Sequence, residues 1–320
     1  MNNLKNSTLR ILVVDDLHPV FIEMMEEAGM HCDYRPTISR EESLAIIKDF
    51  DGLVLRSKFK VDTEIIDAAP RLKIIGRAGA GVDNIDEAYA QKRGIYLVSA
   101  PEGNCDAVGE HMLAMLLALL NKIVVGNNEI HKGLWRREEN RGIELGGKTI
   151  GLIGYGNNGR AMARKLSGFD VEVLAYDKYK SGFTNSLAKE VQMDELFLNA
   201  DILSLHIPLT SETHHLINSD FLSKFKKPIF FLNGSRGEIV NVEDVIKGLE
   251  NKTILGAGFD VLPKEKFPEL NSSTWFKRLV SFNNVILTPH VAGWSVQSYF
   301  KLSKILAEKM VKFQLEMNAV

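Results

Sequence analysis

The sequence has little that would tie it to a membrane, a nucleic acid or an oxidising compartment. Of 320 residues only two are cysteines, Cys32 and Cys105. They stand far apart and make no ligand or redox spacing, which argues against a disulfide-stapled scaffold and a cysteine metal site. Net charge is −2, with 39 basic against 41 acidic side chains, so no overall field draws the chain to nucleic acid or to an anionic lipid surface. The longest apolar run, HMLAMLLALLNKIVV from His111, is too short for a bilayer span and reads as a buried helix. The N-terminus MNNLKNSTLRILVVDD leads straight into a strand, without signal-peptide architecture. No low-complexity tract or solenoid period interrupts the chain. What is left is a reduced, cytoplasmic, globular protein, with no metal, nucleic acid or membrane expected as a partner.

Length and composition favour two domains: the chain is too long for one small core, and 45% of its residues are hydrophobic. Short β-branched runs alternate with helical patterns. ILVVDD, DGLVLRS, LKIIGRAG and IYLVSA read as strands in the first part. KTIGLIG, VEVLAYD, ADILSLHIP, PIFFLNG, ILGAGFDVL and NVILTPH follow in the second. Runs apolar on both faces suit a parallel sheet covered by helices on each side. The fold class is therefore α/β, with two doubly wound parallel-sheet domains and a cleft expected between them. The stretch APEGNCDAVGEH ends the first set of strands, and Asp106 is placed to cap the long helix after it. A last helix, from about Ser295 to Met317, follows the final strand and is expected to return to the first domain.

Within the second set, GLIGYGNNGRAMARKLSGFDVEVLAYD places Gly154, Gly156 and Gly159 in a G-x-G-x-x-G turn. It lies between a strand and a helix, and Asp177 ends the next strand. Such glycines are weak evidence alone, but here the whole βαβ unit surrounds them. Gly154 permits the tight turn, Gly156 lets a pyrophosphate approach the helix N-terminus, and Gly159 lets helix and strand pack closely. Asp177 can accept hydrogen bonds from an adenosine ribose diol, and its charge favours NAD over NADP. Lys178 beside it leaves some NADP use open. Asn158 is unusual, since such turns ordinarily carry an apolar residue there.

Three side chains on loops after strands of the second domain suit proton and carboxylate chemistry. They are Arg236 in FLNGSRGEIV, Glu265 in GFDVLPKEK and His290 in ILTPHVAG. A guanidinium can hold a carboxylate by two parallel bonds, and an imidazole titrates near neutral pH. Each also has an ordinary reading as a solvated turn arginine, a charge in a lysine-rich loop, or a structural histidine.

NGSRGEIVNVEDV, GAGFDVLPKEK and NVILTPHVAG, in this order after GLIGYGNNG, resemble the D-isomer-specific 2-hydroxyacid dehydrogenase family. The likeness covers nearly the whole chain, including GRAGAGVDNID and APEGNCDAVGEH. It implies a Rossmann NAD domain, residues 102–294, inserted into a flavodoxin-like substrate domain, residues 1–101 with 295–320. Arg236, Glu265 and His290 match the family's catalytic set. By that likeness His290 moves a proton to and from the substrate oxygen. Glu265 orients the imidazole and raises its pKa, and Arg236 binds the substrate carboxylate. For NAD the likeness implies the glycine turn with Asn157 and Asn158, then Asp177, His206, Pro208 and Thr213. It adds the segment Gly234, Ser235 and Arg236, and then Asp260, His290 and Gly293. Lys266 and Phe267 depart from the frequent pattern after the glutamate without removing a catalytic group.

Within the family the chain resembles the phosphoglycerate dehydrogenases most. Arg56, Arg77 and Arg137 match positions that gather cations for a substrate phosphate, and a doubly charged phosphate needs several such donors. Ser57, Ala78, Gly79 and Asn104 join them as substrate-binding positions. The likeness implies a homodimer, with the arm carrying Arg137 reaching the partner subunit. It implies interconversion of D-3-phosphoglycerate and 3-phosphohydroxypyruvate, as in serine biosynthesis. Two alternatives stand beside that: a glyoxylate or hydroxypyruvate reductase or other D-2-hydroxyacid dehydrogenase, and a non-catalytic NAD-sensing protein. The stretch TPHVAGWSVQSYFKL departs from the subgroup after the histidine. With the chain ending at Val320, a serine-binding regulatory domain like that of longer relatives is not expected.

Overall fold

The computed structural model describes residues 8–319. The chain divides into two compact units, one running to Asn104 and resuming at Trp294, the other Cys105–Gly293.

The first unit is built on five strands: β1 Arg10–Val13, β2 His31–Tyr34, β3 Gly52–Leu55, β4 Ile74–Arg77 and β5 Tyr96–Ser99. They pair in parallel in the order β2-β1-β3-β4-β5, the flavodoxin-like arrangement. Successive side chains in a strand point to opposite faces, so β1 from Ile11 onward and all of β3, buried on both faces, carry no polar side chain. Ile11, Val13 and Val54 join one core layer with Phe21, Met25, Leu302, Leu306 and Met310. Leu12, Leu53 and Leu55 join the other with Ile47, Phe50, Ile65 and Ile66. The final helix, Val296–Asn318, belongs to this unit and packs on the helix Val20–Glu27. It starts with a reciprocal cap: Ser295 Oγ accepts from the Ser298 amide at 3.0 Å, and Ser298 Oγ accepts from the Ser295 amide at 2.8 Å. The helix lies so close to the loop after β5 that a Cβ on Gly103 would stand 2.8 Å from the backbone of Leu302.

The second unit carries seven strands: β6 Thr149–Ile153, β7 Glu172–Tyr176, β8 Lys189–Glu190, β9 Ile202–Leu205, β10 Ile229–Asn233, β11 Ile254–Phe259 and β12 Val285–Leu287. All pair in parallel, in the order β12-β11-β10-β9-β6-β7-β8. The chain runs outward from β6 through β7 to β8, then crosses back to β9 and runs outward the other way. The order therefore reverses between β6 and β9, the place where open α/β sheets bind ligands at their carboxyl ends.

Sequence pattern missed β2 and β8. β2 reads HCDY on an edge, with its ends exposed, and β8 is two residues long; neither carries an apolar signature. The apolar run from His111 is also not one buried helix. The helix Cys105–Leu120 ends there, Lys122 turns to a φ of +52°, and a second helix covers Ile123–His131 with none of its residues buried. Asp106 lies inside the first helical turn, one residue after its start, and its carboxylate pairs with Arg164. Among the described residues no single helix is long and apolar enough to cross a membrane.

The Gly103 contact yields a stability test. Gly103→Ala must push the final helix away from β5 and should destabilise the protein by about 1–3 kcal/mol, read as a lower midpoint in urea unfolding. Gly168→Ala, where nothing lies within 4 Å of the added carbon, should leave the midpoint within about 0.5 kcal/mol of the parent.

Candidate active site

The glycine turn joins β6 to the helix Asn157–Leu166 at the point where strand order reverses. Gly154 has a φ of +94°, and a Cβ there would overlap the His206 carbonyl, so only glycine fits. A Cβ on Gly159 would overlap the Gly154 carbonyl oxygen. Gly156 is different. A Cβ there would meet only Lys180 Nζ, 4.0 Å away, and no side chain caps the helix. The space beside Gly156 is thus open and the helix N-terminus carries no side-chain cap, a setting that suits a pyrophosphate. Asn158 is partly buried beside the turn, and its Oδ1 has no hydrogen-bond partner.

Asp177 closes this half of the site. Its Oδ2 accepts from the Tyr155 amide at 2.8 Å, and its Oδ1 accepts from the amides of Tyr179 and Lys180 at 3.0 and 3.1 Å. The carboxylate therefore shapes the turn and the loop after β7, and keeps only part of its capacity for a ribose. Lys178 is paired with Glu212. After β9, His206 places Nε2 3.0 Å from Ser204 Oγ, while its buried Nδ1 has no partner. Burial pushes its pKa down to about 4, so the ring is neutral at physiological pH. Thr213 ties the next loop by donating to the Pro208 carbonyl at 2.7 Å. Ser235 bridges the ends of β9 and β10, donating to the Leu205 carbonyl at 2.8 Å and accepting from the Ile207 amide at 3.2 Å. Gly234 lies against Met112 Sδ, at 2.5 Å from where a Cβ would stand.

The ends of β10, β11 and β12 bring the three chemistry-bearing side chains of this unit together. Glu265 accepts from the Leu262 amide at 3.1 Å through Oε1 and lies 2.7 Å from His290 Nδ1 through Oε2. Glu265 holds the His290 pKa above its ordinary value, against the opposing effects of burial and of the Arg236 guanidinium. The ring keeps 48% of its surface exposed, and its Nε2 makes no hydrogen bond among the described residues. The Arg236 guanidinium donates to its neighbour's carbonyl, Ser235 O, at 2.7 Å.

His290 itself has a φ of +55°, a left-handed backbone in which a non-glycine residue is rare. Asp260, 2% exposed, holds it there. Its carboxylate accepts from Thr288 Oγ1 at 2.6 Å and from the amides of Val291 and Ala292 at 2.9 and 2.8 Å; its carbonyl accepts from the His290 amide at 2.8 Å. His111, which sequence pattern placed in an apolar run, points Nε2 at Thr288 Oγ1 at 3.0 Å and joins this network. No local signal distinguished it. An apolar cavity of about 360 Å³ adjoins the pair, walled by Phe267, Leu270, Phe276 and Leu287.

In the first unit, Arg56 follows β3 and Arg77 ends the adjacent β4, paired in register to Leu55. Asp15 Oδ2 accepts from the amides of Arg56, Ser57 and Lys58 at 2.9, 2.9 and 3.1 Å, an arrangement sequence pattern did not anticipate. Ala78 is buried, and the Arg77 guanidinium folds over Gly79, where a Cβ would collide with it. Asn104 keeps a buried Oδ1 without a partner. Arg137 belongs to the other unit. It lies on an exposed segment there and makes no ion pair among the described residues.

Comparison with known proteins agrees with the architecture. Residues 113–292 match the model of the D-isomer specific 2-hydroxyacid dehydrogenase, NAD binding domain. A D-3-phosphoglycerate dehydrogenase of Archaeoglobus fulgidus is 35% identical over 95% of this chain, which spans 57% of that relative's length. A glyoxylate reductase of Thermofilum pendens is 38% identical over 85% of this chain and 81% of its own. A D-lactate dehydrogenase of Aquifex aeolicus, solved with NAD and lactic acid, superposes with a TM-score of 0.81 at 26% identity, covering 96% of both chains.

The pairing at 2.7 Å sets a titration experiment. Glu265→Gln removes the anion that favours the imidazolium, so the His290 pKa should fall, read from the pH dependence of the ring carbon-bound proton by NMR. An unchanged midpoint would mean that the carboxylate does not govern the ring.

Proposed function

The chain belongs to the D-isomer-specific 2-hydroxyacid dehydrogenase family and carries its NAD-binding domain; from that premise we propose that it interconverts D-3-phosphoglycerate and 3-phosphohydroxypyruvate. The observation that carries the chemistry is the His290–Glu265 pair, with Nδ1 committed to the carboxylate and Nε2 open. NAD would supply the hydride chemistry at the substrate carbon. Gly154, Gly156 and Gly159 shape the turn that would hold its pyrophosphate, and Asp177 would accept from its ribose. His290 gives a proton from Nε2 to the substrate oxygen in reduction and recovers it in oxidation. Glu265 keeps the imidazolium stable until that transfer. Arg236 holds the substrate carboxylate and polarises its carbonyl.

The phosphate is the narrower part of the reading. It rests on the two arginines that close β3 and β4, with Arg137 as a third cation offered across a homodimer. Ile123, Val124, Ile130 and Trp135 are each exposed, apolar side chains of the kind a partner subunit covers, and this reading gives them to the second copy. Cytoplasmic residence, where scattered cysteines stay reduced, completes it. A glyoxylate or hydroxypyruvate reductase is the second reading, favoured by the 38% identity to a glyoxylate reductase over most of both chains.

NADH consumption across 3-phosphohydroxypyruvate, hydroxypyruvate and glyoxylate separates the two. The phosphorylated acid should be preferred. Arg77→Ala should then lower kcat/KM for it by roughly ten- to a hundredfold while leaving the unphosphorylated acids nearly unchanged. Equal losses on all three acids would make the protein a broader 2-hydroxyacid reductase.

His290→Ala should lower kcat by about a hundredfold or more on any accepted acid. Reduction needs the protonated ring, so activity should fall as pH rises through the raised pKa. In Glu265→Gln that limb should move to lower pH; a limb that stays in place would refute the functional pairing of Glu265 with His290.

A further inference from the structure

The first unit contains an arrangement that neither the glycine turn nor the His290–Glu265 pair explains. The Arg56 guanidinium lies over the ring of Trp294, 3.8 Å from its centroid. Trp294 stands four residues past His290, where the sequence departs from the phosphoglycerate dehydrogenase pattern. It is 46% exposed, so contact with Arg56 does not bury the indole. Apart from that ring, the guanidinium makes one long bond, to the Asp16 carbonyl at 3.4 Å. No carboxylate lies within ion-pair distance of it among the described residues. Its charge is thus held by an aromatic face and left uncompensated for an incoming anion.

The shelf beneath this pair is itself fixed. Trp294 meets Tyr299 edge to face, with centroids 5.6 Å apart. Tyr299 donates to Asp16 Oδ2 at 3.0 Å, and Tyr34 donates to Asp16 Oδ1 at 3.1 Å. Partial burial and the Asp16 contact push the Tyr299 phenol up to about 12, which keeps it a donor. Asp15, next in the chain, holds the backbone of Arg56. Adjacent aspartates therefore fix the two ends of one contact: Asp15 the arginine's backbone, Asp16 the aromatic shelf.

We infer that Trp294 is a positioning residue for substrate recognition, holding the Arg56 guanidinium in one orientation toward the anionic group of a 2-hydroxy or 2-keto acid. This rests on the assignment of Arg56 to substrate binding. The indole acts through Arg56 and takes no part in proton or hydride transfer. A flexible arginine loses rotamer freedom when it binds an anion; a guanidinium already stacked has lost much of it beforehand. The effect belongs in KM, not kcat.

The test uses whichever of 3-phosphohydroxypyruvate, hydroxypyruvate and glyoxylate the parent turns over best. Trp294→Ala should raise KM about three- to thirtyfold with kcat within about twofold, and Trp294→Phe, which keeps an aromatic face, should recover most of the loss. Arg56→Ala should raise KM at least as far, and adding Trp294→Ala to it should cost little more. A second measurement needs no turnover. With Trp135→Phe and Trp275→Phe leaving Trp294 as the sole tryptophan, Arg56→Ala should change its fluorescence. If Arg56→Ala leaves KM unchanged, the substrate assignment of Arg56 is wrong. If Arg56→Ala raises KM but Trp294→Ala does not, or if Trp294→Phe is no better than Trp294→Ala, the positioning inference is overturned while the assignment of Arg56 stands. An emission unmoved by Arg56→Ala would refute the stacked contact itself.

Discussion

The turn that carries His290 depends on one buried carboxylate. Asp260 accepts three hydrogen bonds from the turn after β12 and, through its backbone, a fourth from His290. The left-handed backbone of His290 costs about 1–3 kcal/mol and persists only where surrounding contacts over-determine it. Hydrogen bonds to a charged group contribute about 1.5–3 kcal/mol each, so this set outweighs the strain. The product is directional. With the backbone turned this way, Nδ1 meets Glu265 and Nε2 is left open. An ordinary extended backbone at residue 290 would aim the ring elsewhere, and the Glu265 carboxylate would lose its partner.

The cofactor half obeys a constraint of space instead of charge. Two backbone segments, the turn after β6 and the loop after β9, approach more closely than any Cβ allows, so Gly154 is required. The same crowding brings the helix of Gly159 down onto the turn. Gly156 has no such neighbour, and the open volume above it is where the helix N-terminus is unshielded. The three glycines thus divide into two that let protein meet protein and one that leaves room for something else. Asp177 supports both uses, since its accepted amide bonds hold the turn that creates the room.

In the first unit carboxylates organise cations without neutralising them. Asp15 binds the amides of residues 56–58 and not the Arg56 guanidinium. Asp16 is occupied by two phenols. An ion pair to Arg56 would have compensated the charge and lowered its value to an anion. An aromatic face holds a guanidinium while leaving its N–H edge exposed. Placed directly after β3, at the carboxyl end of a parallel strand, such a cation sits where open α/β sheets present their ligand-binding loops.

The sequence by itself determined the two parallel sheets and the strand-turn-helix unit around Gly154, and it marked Arg236, Glu265 and His290 as candidates. These are local properties. A strand buried on both faces must be apolar at every position, and a glycine turn announces itself within one βαβ unit. What the tertiary structure decided is who meets whom. Glu265 and His290 are 25 residues apart, Asp260 and Val291 are 31 apart, and Asp15 reaches Arg56 across 41. No periodicity encodes such pairs; the topology creates them by laying the carboxyl ends of neighbouring strands side by side. For the same reason His111 looked like one more residue in an apolar run and Trp294 like a mere departure from pattern. Their roles exist only where other segments arrive: Thr288 beside His111, and the Arg56 guanidinium over the Trp294 ring.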